Sequence, residues 1–340
     1  MEIRRDFYLD KLIRRKNNGL IKVITGIRRC GKSYLLNNIF YNHLLESGVP
    51  ADHIIRFAFD SADDMYLIGE SLIKIEKEKR GVDPEKFMAY VRSKVTTDGM
   101  YYLLLDEVQL MDCFESVLNG YLRKDNMDVF VTGSNAKFLS KDIVTEFAGR
   151  GDEVHMYPLS FSEFLKAGQY TNELSALQDY MIYGGMPQVV SFSNKKEKEN
   201  YLKSLFQGTY MRDIKERYNI RNDDDLSELI DIIASNIGCL TNPTNLENTF
   251  KSVKGHSISD TTIQSYLGML QDAFMLEKAI RYDIKGKHYI NTPSKYYFED
   301  VGLRNARLNY RQIDGGHLME NIIYNELRIR GYSVDIGQVE

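Results

Sequence analysis

The eight residues Gly26-Ile27-Arg28-Arg29-Cys30-Gly31-Lys32-Ser33 have the G-x-x-x-x-G-K-[ST] spacing of a loop that wraps phosphate. Residues 20–25 before it are a short apolar strand candidate, and residues 33–40 after it carry helical apolar spacing. Strand, glycine loop and helix is the context the motif needs. The glycines let the backbone approach phosphate oxygens, and the free N–H groups at the start of the next helix favour an anion. On this reading Gly26, Ile27, Arg28, Arg29, Cys30, Gly31, Lys32, Ser33 and Tyr34 form the nucleotide-binding stretch. Lys32 serves the β- and γ-phosphates, and the Ser33 hydroxyl helps to hold Mg²⁺.

A second stretch, Met100-Tyr101-Tyr102-Leu103-Leu104-Leu105-Asp106-Glu107, reads as a strand covered on both faces and ending in two carboxylates. Carboxyl ends of strands are where open α/β sheets bind ligands. Asp106 is expected to hold Mg²⁺ and Glu107 to activate the attacking water, the Walker B arrangement. One strand candidate, residues 53–60, separates the two motifs, which suggests the additional-strand, catalytic-glutamate branch of these NTPases. A further strand over residues 128–135 places Ser134 or Asn135 at its tip, as a γ-phosphate sensor or a plain strand-ending turn. Arg150 lies between Gly149 and Gly151, just before another strand candidate at residues 153–157. It is either a charge-stabilising arginine or an ordinary surface one.

These stretches, with Pro158-Leu159-Ser160-Phe161-Ser162-Glu163-Phe164, Tyr183-Gly184-Gly185-Met186-Pro187, Tyr210-Met211-Arg212-Asp213-Ile214 and Tyr297 to Asn305, resemble the bacterial and archaeal AAA-type ATPases with a C-terminal domain of unassigned function. The resemblance covers nearly the whole chain. It implies an α/β fold: a P-loop NTPase parallel-sheet core over residues 1–160, a helical lid over 161–220 and a winged helix over 221–305. The start of a restriction-nuclease-like α/β module is implied over 306–340. It further implies a nucleotide-driven switch that hydrolyses ATP with Mg²⁺. Two alternatives stay open: a DNA-associated regulator that binds nucleotide with little turnover, and an ATPase-gated nuclease in a longer chain.

The periodicities after residue 160 fit this division. Helices are expected over 161–220 with turns at Gly168 and Gly184-Gly185, then over 226–237, 245–251 and 259–276. Two strands of a wing are expected at 277–283 and 288–291. The helix from Ser259 to Leu276 carries no Lys or Arg, so it is expected to pack against protein. Any DNA contact is then weak, sequence-tolerant and carried by Lys251, Lys254, His256, Arg281, Lys285, Lys287 and His288. A helix over 317–330 and a strand over 332–336 close the chain, with Glu320 expected to be a solvated helix residue. The chain ends before a strand that would bring further nuclease carboxylates, which suggests truncation.

Composition narrows the class. The 44 Lys and Arg against 48 Asp and Glu leave a net charge of −4, so the chain as a whole carries no polyanion footprint. Three cysteines, Cys30, Cys113 and Cys239, have no CxxC spacing, which argues against a disulfide framework or a zinc site and fits a cytoplasmic protein. No run approaches the ~18 apolar residues of a membrane span. Beyond ATP, the partner is an unknown protein, and neither the client nor the oligomeric state is readable.

Overall fold

In a computed structural model the described residues are 3–133, 147, 149–168, 170–220, 223–254, 258–281 and 293–337. The chain divides into two compact units, one spanning Arg4–Met156 and one made of Met1–Ile3 and Tyr157–Glu340.

The first unit is built on five parallel strands: β1 (Ile21–Thr25), β2 (Ile54–Ala58), β3 (Tyr101–Asp106), β4 (Met127–Thr132) and β5 (Gly151–His155). Their spatial order is β2-β3-β4-β1-β5. The last strand before the Arg150 region is therefore inserted between the two motif-bearing strands, so that β4 touches both. Every residue of β1, β3 and β4 is buried, as expected of parallel strands with layers on both faces. One of those layers is the core of Ile55, Phe57, Phe87, Leu103, Leu105 and Val129. In the middle of the sheet Lys22 is fully buried, yet it is paired with Asp128 and lies over the Phe130 ring at 4.7 Å. Strand pairing of β1 with β4 thus carries a satisfied buried charge pair.

The second unit is mainly helical up to residue 272. Phe161–Ala167 starts in a capping box of Ser160 with Glu163, Glu173–Tyr183 is capped by Asn172, and Lys195–Leu205 by Asn194. Asp224–Ser235, Pro243–Lys254 and Asp260–Asp272 follow, close to the three expected helices. Asp260–Asp272 turns Ile263, Leu267 and Leu270 inward.

Strand β6 (Leu276–Ala279) then pairs antiparallel with β7 (Lys295–Phe298). The expected second strand at 288–291 lies outside the described residues. The observed partner is the aromatic stretch Lys295-Tyr296-Tyr297-Phe298, three of whose residues are buried. Residues 332–336 are not a strand: Ile336 makes one isolated bridge to Arg281.

Two motif stretches of the second unit meet in a close backbone crossing. The buried Asp300 carboxylate accepts the N–H groups of Gly185 at 2.7 Å and Leu303 at 2.9 Å, capping the helix Val301–Arg307. A Cβ on Gly302 would stand 2.0 Å from the Tyr183 carbonyl oxygen, and one on Gly185 2.2 Å from that of Leu159. Only glycine fits at either place. The final helix, Gly315–Ile329, buries Leu318 and Ile322 against Leu159, Phe164, Tyr180 and Val301. Glu320 on that helix is not simply solvated, because it accepts Lys295 Nζ and Tyr297 OH, each at 2.6 Å. Partial burial opposes ionisation there, but those two bonds prevail and hold its carboxyl below the ordinary range. Among the described residues no helix is long and apolar enough to cross a membrane.

Candidate nucleotide site

The glycine loop joins the carboxyl end of β1 to a helix that runs without a break from Lys32 to Glu46. Gly26 takes φ 135°, and a Cβ there would sit 2.1 Å from the Met156 carbonyl oxygen. Gly31 is the left-handed N-cap at φ 106°. The motif glycines are thus required by close approach at one end and by backbone handedness at the other. From behind, the buried Arg5 donates Nη1 to the Cys30 carbonyl at 3.0 Å, and Cys30 Sγ contacts the Met156 carbonyl at 3.3 Å.

Lys32 is 5% exposed, and its Nζ donates to the loop carbonyls of Gly26 at 2.8 Å and Ile27 at 3.1 Å. No carboxylate pairs with it among the described residues. A buried ammonium held only by carbonyls is poised for an anion inside the loop. Arg28, Arg29 and Tyr34 lie exposed around the rim, Arg29 in the left-handed region at φ 66°.

The two motifs converge on Asp106. Its Oδ1 accepts Ser33 Oγ at 3.1 Å and the Thr132 hydroxyl, while Oδ2 accepts Asn37 Nδ2 at 3.3 Å. Burial pushes the Asp106 carboxyl upward; the hydroxyl bonds from Thr132 and Ser33 oppose the rise, and the charges of Glu107 and Asp60 add to it. Asp60, just past β2, is likewise raised, first by burial and then by Glu107, with Arg28 pulling the other way. Three carboxylates therefore gather at the ends of β2 and β3. A hard oxygen-ligated cation such as Mg²⁺ fits this set, since it would relieve the crowding that burial creates.

Glu107 itself adopts a left-handed backbone conformation, φ 52° and ψ 44°, and caps the short turn Val108–Leu110. Its N–H donates to Thr132 Oγ1 at 3.1 Å, and its carboxylate accepts the side-chain amide of Gln109. The Gln109 Oε1 atom is buried and has no partner among the described residues.

Lys32, Ser33, Asp106 and Glu107 are thus brought together. Arg150 is not. Its carbonyl accepts the Ile21 N–H at 2.9 Å, and Gly151 pairs with Ile21, so it stands at the amino end of β1. The phosphate loop leaves the other end, and parallel pairing of β5 with β1 forces the separation. Its exposed guanidinium is 3.4 Å from Asn119 Oδ1. Ser134, with Asn135, lies outside the described residues.

Four residues of the site escaped sequence reading: Asn37, Asp60, Gln109 and Thr132. Asn37 carried a usable signal, since it follows Ser33 by four residues and so shares its helix face. It lies in a π-helical stretch, Leu35–Phe40, a local widening frequent at functional sites.

Residues 18–165 match the family described as "AAA domain", and residues 174–314 match a domain of unknown function. A Haemophilus influenzae protein described as uncharacterized is 34% identical over 343 residues, covering 99% of this chain and 82% of its own length. The chain belongs to this family of AAA-domain proteins. An uncharacterized relative from Methanocaldococcus jannaschii, MJ1544, is 28% identical over 92% of the AAA-domain chain and 67% of itself. The solved Walker-type ATPase PABY2304 of Pyrococcus abyssi shares the fold at a TM-score of 0.60 and 15% identity, over 90% of this chain and 96% of that one.

Proposed function

We propose that the protein binds ATP with Mg²⁺ in the glycine loop and hydrolyses it slowly, as a nucleotide-driven switch. The observation that carries this reading is the convergence of Ser33 and Thr132 on the buried Asp106 carboxylate, beside Lys32 and Glu107. The loop N–H groups from Gly26 to Ser33 receive the β-phosphate, and Lys32 exchanges its two carbonyl partners for phosphate oxygens. Ser33 and Asp106 are the residues that would hold the metal. When bound, Mg²⁺ neutralises charge on the β- and γ-phosphates. Glu107 accepts a proton from the attacking water, whose oxygen bonds to the γ-phosphorus as the bond to the β–γ bridging oxygen breaks and ADP departs. Gln109 holds the Glu107 carboxylate in place for that transfer. Arg150, at the far end of the sheet, acts on phosphate only if it is presented to a second copy.

A steady-state phosphate-release assay with Mg²⁺, paired with an ATP-binding titration, tests the reading. Wild type should bind and turn over ATP, and Lys32→Ala should lose both. Undiminished binding in Lys32→Ala would remove the loop from the account.

A further inference from the structure

The second unit contains a cleft unrelated to the glycine loop. It has a volume of about 330 Å³ and lies between the helix Asp260–Asp272, the start of the helix Pro243–Lys254 and the strand pair β6–β7. That is the size range of small-molecule sites.

Among the described residues its lining contains no Asp or Glu, although the chain as a whole is acidic. Two cations face it, Lys278 and Arg281, and neither has a side-chain partner among the described residues. Elsewhere in this unit the cations Lys198, Lys295, Arg307 and Arg328 are all paired with carboxylates. Two hydroxyls complete the pattern. Ser294 and Tyr296 are each 5% exposed, line the cleft, and have no hydrogen-bond partner for the side-chain oxygen among the described residues. Burial alone pushes the Tyr296 phenol up to about 12. Hydroxyls without a hydrogen bond among the described residues are available to a ligand in the cleft. Asn242 caps the adjacent helix through the Asn245 N–H at 2.7 Å, which puts the positive end of a twelve-residue helix at the same wall. Gln264 adds an exposed amide.

From these groups we infer that the cleft is a binding site for a small phosphorylated molecule of about mononucleotide size. Lys278 and Arg281 take the phosphoryl oxygens, Ser294 and Tyr296 donate to the same group or its ester oxygen, and Gln264 meets the polar remainder. Planar and point-charge donors together suit a tetrahedral anion. The phosphoryl group could also belong to a nucleic-acid backbone. The concave cleft between the helix and the strand pair favours the small molecule, because a duplex phosphate stays at the surface.

The test uses calorimetric titration of the full chain carrying Lys32→Ala, so that the glycine loop does not contribute. The probes are inorganic phosphate, AMP and a short DNA duplex. Binding of phosphate or AMP is expected, weakened roughly tenfold by Lys278→Ala and again by Arg281→Ala. Ser294→Ala and Tyr296→Phe should weaken it severalfold with the melting temperature unchanged, since neither oxygen has a partner among the described residues. Those two variants also guard against a loss that merely reflects misfolding. No binding of phosphate or AMP at millimolar concentration, binding indifferent to all four substitutions, or binding of the duplex alone would overturn the inference.

Discussion

Glu107 stands in a backbone region that side chains other than glycine, asparagine and aspartate seldom enter, and two neighbours hold it there, the Thr132 hydroxyl and the Gln109 amide. If Gln109 positions the base, Gln109→Ala should lower kcat roughly tenfold, about 1.4 kcal/mol, with ATP affinity little changed. Equal kcat in the variant would show that Glu107 needs no such support. A second residue-scale prediction concerns Asp300, whose carboxyl burial pushes up to about 6 against the backbone N–H bonds it accepts. A raised folded-state value means that the native chain binds the proton more tightly than the unfolded one. Stability from this group is therefore present in full below about pH 3.8 and is lost as pH rises through about 6. The loss is on the order of 3 kcal/mol. Denaturant titrations from pH 4 to pH 7 should show that slope in wild type and a flatter one in Asp300→Asn. The same slope in both would assign the effect elsewhere. Lys32, Ser33, Asp106 and Glu107 were legible in the sequence because each belongs to a local motif with fixed spacing. Thr132, Asp60 and Gln109 were not, since their roles depend on which strand ends become neighbours and where side chains turn.

At the scale of elements, the insertion of β4 between β1 and β3 makes the site possible. It sets Thr132 beside Asp106, one residue beyond the Leu105–Val131 pair. Sequence reading found all five strands of the sheet within a few residues, because continuous apolar runs mark buried parallel strands. It could not supply their order, which is a property of long-range pairing. The pairing of β6 with residues 295–298 was likewise not read from the sequence, since it is fixed by long-range register, and the expected strand at 288–291 lies outside the described residues. Thr132→Val keeps the shape of the side chain but removes one acceptor for the Glu107 N–H and one donor to Asp106. Turnover should fall by about tenfold or more, with the melting point moved by only a few degrees. A variant with wild-type turnover would mean that the two strand ends do not depend on this hydroxyl. In the second unit Gly302→Ala should be costlier to the fold, because the new methyl would meet the Tyr183 carbonyl at 2.0 Å. A loss of about 1–3 kcal/mol in denaturant unfolding is expected. No loss would show that the crossing of these stretches can open without penalty.

For the whole molecule, the position of Arg150 bears on how copies of the chain relate. Its place at the amino end of β1 follows from the parallel register, which the sequence did not reveal, and it excludes the arginine from its own phosphate loop. If it serves a neighbour, turnover per chain should rise with protein concentration, and Arg150→Ala should abolish the rise while leaving ATP binding intact. Turnover independent of concentration, and equal in the variant, would return Arg150 to the role of a surface residue. The most direct test of the central claim is a single-turnover experiment with γ-labelled ATP, excess protein and Mg²⁺, comparing wild type with Glu107→Gln. The account predicts that both bind the nucleotide, that wild type releases labelled phosphate, and that Glu107→Gln retains intact ATP. Cleavage of bound ATP by Glu107→Gln at the wild-type rate would contradict it.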